Sequence, residues 1–238
     1  MKEEYNRDVN PYPSFGKKYN GEKAVISLTS WKARINTVSK TLFSLIQQCP
    51  GFHIVLVLSE EEFPKMCEEL PENLMLFVEN EMIELMFVYK NYKSFKKVLF
   101  TMDKYRDVPV ISADDDMEYK HNFADELYNE WKNKTDTIVG NRIHNKLGIH
   151  IFSSGCGVIY PPNCFKDFGL EFLKKFNLSS SHDDLLCALI AKKLNIKSYT
   201  RNDNRCLTYQ QALGKSLWDL KAYNDEKQFD EYLSILER

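Results

Sequence analysis

The sequence lacks several signatures that would settle its class at once, and each absence narrows the field. No run approaches the ~18 consecutive apolar residues that a membrane-spanning helix needs. The most apolar stretches, Ile54–Leu58 and Leu74–Val78, are strand-sized. Residues Met1–Asn20 are polar and carry both signs of charge, unlike a secretory signal. The cysteines Cys49, Cys67, Cys156, Cys164, Cys187 and Cys206 form no CxxC pair and are spaced widely and irregularly. That argues against a zinc site and, without an export signal, against a disulfide framework. The thiols are expected to serve as small hydrophobes. There is no GxxxxGK[ST] loop, and Thr29–Arg34, after the first predicted strand, contains no glycine. The chain is therefore neither a P-loop nucleotidase nor a carrier of the GxGxxG dinucleotide fingerprint. Internal repeats and low-complexity tracts are missing too. Nor is there a surplus of positive charge: 32 basic against 34 acidic residues leave a formal net charge of −2. This removes the electrostatic reason to expect a nucleic-acid coat, though not a local basic pocket for one phosphorylated ligand.

What is present is an ordinary globular composition, 43% apolar and 28% charged over 238 residues, enough for one domain with a real core. Residues 1–23, with Pro11, Pro13, Gly16 and Gly21, read as a lead-in arm. Ala24–Leu28 predicts a strand. Ile35, Val38, Leu42, Leu45 and Ile46 predict a helix over Lys32–Gln48, stopped by Pro50 and Gly51. Phe52–Leu58 and Leu74–Val78 predict strands, as does part of Glu81–Tyr89. Tyr92–Tyr105 predicts a helix with the apolar stripe Phe95, Val98, Leu99 and Met102. Lys93, Lys96 and Lys97 lie on another side of it, and such a charge run ordinarily faces solvent. Val108–Ala113 predicts a strand and Phe123–Asn133 a helix. Further strands are expected at Ile138–Val139, Ile149–Phe152, Val158–Tyr160 and Ile196–Thr200. Phe165–Phe176 reads as a short helix or turns, Asp183–Leu194 as a strong helix, and Leu217–Leu236 as an amphipathic helix packed on the domain. Alternating strands and helices argue for a parallel α/β sheet covered on both faces. One domain over 24–210 is expected, with a helical extension over 211–238.

The sharpest chemical feature is Ala113-Asp114-Asp115-Asp116 at the end of an apolar strand. Side chains alternate along a strand, so Asp114 and Asp116 point the same way if strand geometry persists. Carboxylates beyond the carboxyl edge of a parallel sheet stand where open α/β sheets bind ligands. Hard oxygen ligands select Mg²⁺ or Mn²⁺, which keep coordination positions open for phosphates. A second feature is Ser181-His182-Asp183-Asp184 opening a helix. Acids there complement the helix dipole, and a carboxylate so placed also suits a general base. A third is the trio Lys93, Lys96 and Lys97, together with Arg34, which would reach a diphosphate if turned inward. The fourth is Ser154-Gly155-Cys156-Gly157, whose glycines permit close approach of a ligand. A nucleophilic Cys156 would need a histidine beside it.

Taken in order, these pieces resemble bacterial glycosyltransferases of the GT-A fold, similar to the inverting family 2 type and to small cell-surface polysaccharide transferases. The matching segments are Val25–Ser30 with Arg34, the lysine-bearing Tyr92–Met102, Val110–Asp116, Gly155–Pro162, and Asp183-Asp184 leading to Lys197. The resemblance implies a mixed central sheet flanked by helices and a metal-bound nucleotide sugar, by family association a UDP-sugar. The acceptor would be a hydroxyl of a glycan or lipid-linked glycan in surface polysaccharide synthesis. Asp114–Asp116 matches the family's Asp-x-Asp motif: Asp116 would hold Mn²⁺ or Mg²⁺, and Asp114 would lie toward the ribose or the metal, with Asp115 in the same donor site. Thr29, Trp31 and Arg34 would meet the nucleotide, and Lys93 and Lys97 its diphosphate. Trp31, Tyr89 and Tyr160 are candidates to stack on base or sugar. Asp183-Asp184 matches the family's acidic pair. Asp184 is the expected base, with Asp183 as the alternative, and His182, unusual there, is a further candidate metal ligand. The implied location is the cytoplasm, with at most peripheral contact at the membrane's inner face. A sugar nucleotidyltransferase, a non-catalytic sugar-nucleotide or glycan-binding module, and a cysteine hydrolase using Cys156 are the rivals.

Overall fold

The computed structural model describes residues 11–146, 149–165, 183–201, 207–209 and 225–236. At its centre is an eight-stranded sheet. In chain order the strands are β1 (Ser14–Gly16), β2 (Ala24–Thr29), β3 (Phe52–Ser59), β4 (Glu84–Val88), β5 (Val110–Ser112), β7 (Thr137–Gly140), β10 (Val158–Tyr160) and β11 (Lys197–Thr200). Across the sheet they run β1-β4-β3-β2-β5-β10-β7-β11. β4, β3, β2 and β5 are mutually parallel, β1 and β10 pair antiparallel with their neighbours, and β11 lies parallel to β7. Outside this sheet, β6 (Met117–Tyr119) pairs with β12 (Leu207–Tyr209), and β8 (Ile143–Lys146) with β9 (Ile149–Phe152). The expected α/β class with a mixed, helix-covered sheet is what the chain adopts.

The central strands are apolar on both sides because both faces are covered, as parallel sheets require. Ala24, Ile26 and Leu28 of β2, with Ile54, Leu56 and Leu58 of β3, pack under α1 (Val38–Ile46), α2 (Glu72–Glu79) and α4 (Phe123–Trp131). On the other face, Val25, Val55, Val57 and Met86 meet α3 (Thr101–Lys104), the turns before it, and α5 (Asp183–Lys193). Tyr232 of α6 (Asp225–Leu236) is buried in the same cluster. Leu217, Trp218, Leu220 and Tyr223 lie outside the described residues. Among those that are described, no helix is long and apolar enough to cross a membrane.

Three local expectations change. Leu74–Val78 is helical: only Leu74 and Val78 of that run are buried, one helical turn apart, while Leu76 is 52% exposed. The arm contributes β1, which adds an edge to the sheet beside β4. Tyr92–Tyr105 is not one α-helix but a 3₁₀ turn at Lys93–Phe95, a π turn at Lys96–Phe100 and then α3.

Strand order locates the site. Successive strands β2, β3 and β4 build outward on one side, and β5 then returns to the other side of β2. The connections diverge at the carboxyl ends of β2 and β5, the switch point where open α/β sheets bind ligands. Ser30 follows β2 there, and Asp114–Asp116 follow β5.

Candidate functional site

Strand geometry does not persist through the acidic run. β5 ends at Ser112 and the chain turns at Asp115–Asp116. The three carboxylates consequently take three separate environments. Asp115 is buried: its Oδ2 accepts a hydrogen bond from Ser30 Oγ at 2.6 Å and its Oδ1 from Arg34 Nη1 at 2.6 Å. The same guanidinium nitrogen lies 2.9 Å from Asp116 Oδ2. Behind the turn, Thr41 Oγ1 of α1 donates to the Asp115 and Met117 carbonyls, and Ser44 Oγ accepts the Tyr119 N–H. The non-helical stretch before α1 is what carries Arg34 up to the acids, so the helix expected from Lys32 begins only at Val38.

Asp114 takes a different partner. Its Oδ1 accepts from Lys97 Nζ at 2.5 Å, and its backbone N–H donates to the Tyr119 hydroxyl at 2.9 Å. That hydroxyl donates in turn to the Gly155 carbonyl at 2.9 Å. Gly155 is required by close approach, because a Cβ there would stand 3.1 Å from Asp114 Cγ and nearer still to Oδ2. Lys97 is buried, and its Nζ also lies 3.2 Å from Asp183 Oδ2. Asp184, next in the chain, holds the neighbouring loop. Its carboxylate takes the Ser154 N–H at 3.2 Å to Oδ1, and the Ser154 hydroxyl donates to the same oxygen.

The charges explain one another. Burial opposes the positive charge of Lys97, but Asp114, Asp183 and Asp184 outweigh it and hold its pKa well above the usual lysine range. Burial likewise opposes the charge of Arg34, which Asp115 and Asp116 keep protonated. Asp115 is pushed up by burial, against the pull of Arg34 and Ser30. Asp116 is pushed up by burial and then by the Asp114 carboxylate. Burial and Asp183 raise Asp184, while Lys97 and Ser154 draw it back. Four of these five carboxylates are in direct contact with two cations, Arg34 and Lys97, while Asp184 is held by Ser154. An excess of acidic groups over cations at this edge favours a further cation there. The donor set fits Mg²⁺ or Mn²⁺, whose hard-oxygen preference Asp116 and Asp114 satisfy. Among the described residues no three of these side chains are placed to hold one ion together, so most of the coordination would come from other ligands.

The structure therefore brings together Arg34, Lys97, Asp114, Asp115, Asp116, Asp183 and Asp184. The expectation of a solvated lysine face is overturned for Lys96 and Lys97, which the π turn directs inward. Lys96 Nζ donates to Asn91 Oδ1 at 2.8 Å, and burial lowers its pKa to about 8. Lys93 stays half-buried, its N–H on Asn91 Oδ1. Thr29 donates its hydroxyl to the Val57 carbonyl, and Trp31 is half-buried at the same edge. Tyr160 is buried against Phe165 and is removed as a stacking candidate, whereas Tyr89 is 49% exposed. Cys156 belongs to the apolar core cluster, as the bland expectation for the thiols has it. His182 lies outside the described residues. Sequence reasoning missed Ser30 and Tyr119, whose roles arise only from tertiary contacts.

No family model and no curated protein sequence matches the chain. Solved structures do. The chain is similar to residues 1–349 of S. aureus TarS in complex with UDP-GlcNAc, at a TM-score of 0.60 and 13% identity, covering 89% of this chain and 64% of that one. It is also similar to the mannosyltransferase PcManGT of Pyrobaculum calidifontis in complex with GDP-Man and Mn²⁺. There the TM-score is 0.55 at 13% identity, covering 84% of this chain and 59% of that one. The chain thus spans about three fifths of the length of these structures. What they establish is the fold, which is GT-A-like.

Proposed function

We propose that the protein is a metal-dependent glycosyltransferase that moves a sugar from a nucleotide sugar, UDP-linked by family association, to a hydroxyl of a glycan acceptor with inversion. The observation that carries this reading is the meeting of Asp114–Asp116 and Asp183-Asp184 around Lys97, at the switch point of a GT-A-like sheet. Neighbours of this fold are bound to UDP-GlcNAc and to GDP-Man with Mn²⁺, which supports the donor class.

Asp116, with Asp114 beside it, would hold the divalent ion. Such an ion neutralises the charge that develops on the departing nucleoside diphosphate. Arg34 fixes the Asp115–Asp116 turn, so the carboxylate meets its ligand without reorganising. Asp184, oriented by Ser154, takes the proton of the acceptor hydroxyl as that oxygen bonds to the anomeric carbon and the bond from that carbon to the phosphate oxygen breaks. A general base of this kind contributes ~10²–10⁴-fold. Attack opposite the leaving group inverts the anomeric centre.

The test is thermal unfolding of the unaltered chain and of Asp116→Asn with UDP-GlcNAc, UDP or GDP-Man, with and without Mn²⁺. Stabilisation should require nucleotide and Mn²⁺ together, about 2.7 kcal/mol at a hundredfold excess over Kd, and should vanish in Asp116→Asn. A shift that ignores Mn²⁺ and survives in the variant refutes the metal assignment, and no shift with any nucleotide refutes the donor reading.

A further inference from the structure

We propose that Lys97 is a positioning residue: its buried ammonium ties the donor-side carboxylate Asp114 to Asp183 and so sets the place of the acidic pair relative to the donor. The role rests on the glycosyl-transfer reading above and adds a device that neither the acidic motif nor the fold contains by itself.

The geometry is a closed ring of contacts joining four separate segments. Lys97 Nζ stands 2.5 Å from Asp114 Oδ1 and 3.2 Å from Asp183 Oδ2. On its other side the Asp114 carboxyl abuts Gly155, where a side chain would collide with it. Ser154, next to Gly155, holds Asp184 through its N–H and hydroxyl. Asp184 leads back to Asp183 along the first turn of α5. Tyr119 braces the ring by accepting the Asp114 N–H and donating to the Gly155 carbonyl.

Lys97 supplies this ring with positive charge. Asp183 Oδ2 is buried and, among the described residues, makes no well-formed hydrogen bond, so the 3.2 Å charge contact is what compensates it. Asp114, Asp183 and Asp184 repel one another, and a fixed cation among them lets them converge. The supporting element is stiff. The π turn at Lys96–Phe100 runs into α3, whose Thr101 hydroxyl pairs with Ser27 of β2 at 2.7 Å. Single π turns recur at functional sites, and this one sends Lys97 inward. At 4% residue exposure Lys97 does not reach bulk solvent, so its influence on the reaction passes through the two aspartates.

The experiment uses the full chain with Lys97→Met, Lys97→Arg and Asp183→Asn. Binding of UDP with Mn²⁺ is followed by calorimetry, and turnover on whichever of UDP-GlcNAc or GDP-Man the unaltered protein consumes. For Lys97→Met the expected pattern is a Kd for UDP–Mn²⁺ within about threefold of the unaltered chain and a kcat lower by roughly thirtyfold or more, with donor KM little changed. Lys97→Arg, which keeps the charge, should recover much of the lost kcat. Equal losses in Kd and kcat would mean that Lys97 touches the nucleotide, and unchanged kcat would mean that the ring positions nothing; either overturns the inference. If Lys97→Met does not fold, Asp183→Asn decides. Loss of kcat at constant Kd together with an inactive Asp184→Asn upholds the inference; full turnover, or a loss while Asp184→Asn stays active, which makes Asp183 the base, overturns it. Amide exchange provides a readout independent of chemistry. The Ser154 N–H should exchange at least about tenfold faster in Lys97→Met while β2 and β3 stay protected, and unchanged exchange at Ser154 overturns the role. Because exchange requires no donor, an unaltered chain that binds no nucleotide would refute the transfer reading and leave the Lys97 ring to be judged by the exchange result.

Discussion

Replacing Gly155 with alanine adds one methyl group at the point where the acidic turn after β5 meets the loop before β10. The consequence can be worked from distances. The new Cβ would stand 3.1 Å from Asp114 Cγ. Comfortable carbon–carbon contact begins near ~3.5 Å, so the carboxyl must retreat by roughly half an ångström or more. It cannot simply rotate away, because Oδ1 is held by Lys97 at 2.5 Å and the backbone N–H by Tyr119 at 2.9 Å. Gly155 itself is not in the left-handed region, so alanine carries no backbone strain and the cost falls on Asp114. Overpacking of this size destabilises by about 1–3 kcal/mol, a modest fraction of a domain's stability. Activity should suffer out of proportion, since a displacement approaching 1 Å at a positioned group costs up to ~10²-fold. The assay pairs a thermal melt with steady-state kcat and donor KM. A variant that melts a few degrees lower but turns over at the native rate would refute the reasoning, because Asp114 would then tolerate displacement and its seat under Gly155 would have no part in the chemistry.

Asp184→Asn should bind UDP with Mn²⁺ like the unaltered chain and lose transfer by ~10²–10⁴-fold; if it retains turnover while Asp183→Asn is inactive, the base is the neighbour. Away from the site, Glu84 is buried between His53, Lys104 and Tyr105, with Lys104 Nζ at 2.5 Å from Oε1 and His53 Nε2 at 2.7 Å from Oε2. Burial alone would raise its pKa, but His53, Lys104 and Tyr105 together bring it down to about 2 from 4.5. A carboxylate depressed in the folded state contributes stability that is complete above its unfolded pKa and lost as pH falls toward the folded one. Denaturant titrations should therefore show roughly 3 kcal/mol disappearing between about pH 4.5 and pH 2, with most of that slope absent in Glu84→Gln; equal slopes in both proteins would contradict it.

The parts of the fold that were legible are those in which one physical demand dominates. β2 and β3 are buried on both faces, so their unbroken apolar runs leave little choice but a central strand. α5 announces itself by length and by acids at its start. Leu74–Val78 misleads because a five-residue apolar run suits a buried strand and a helix alike. Pro71 at its N-cap and the exposed Leu76 show that this one needed only two inward residues. β1 is three residues long and owes its place to pairing with β4, a long-range contact that no local pattern encodes.

The site divides along the same line. Asp114, Asp115 and Asp116 stand out because acids rarely follow a buried strand without a reason, yet alternation alone would pair Asp114 with Asp116. The chain instead turns, so Asp115 and Asp116 share Arg34 while Asp114 goes to Lys97. Lys97 was legible as a candidate to reach the diphosphate, but its burial was not, because lysines on helices ordinarily face water. Its burial becomes sensible only when Asp114, Asp183 and Asp184 are seen together, because three converging carboxylates need a cation among them and a lysine carried on a stiff turn provides one. The same balance explains why the chain's net charge says nothing of this place. Acids outnumber bases by two over the whole sequence, while at the switch point, among the described residues, four carboxylates pair with two cations. That local excess of acidic groups is what the proposed metal-bound donor would answer, and no single motif reveals it.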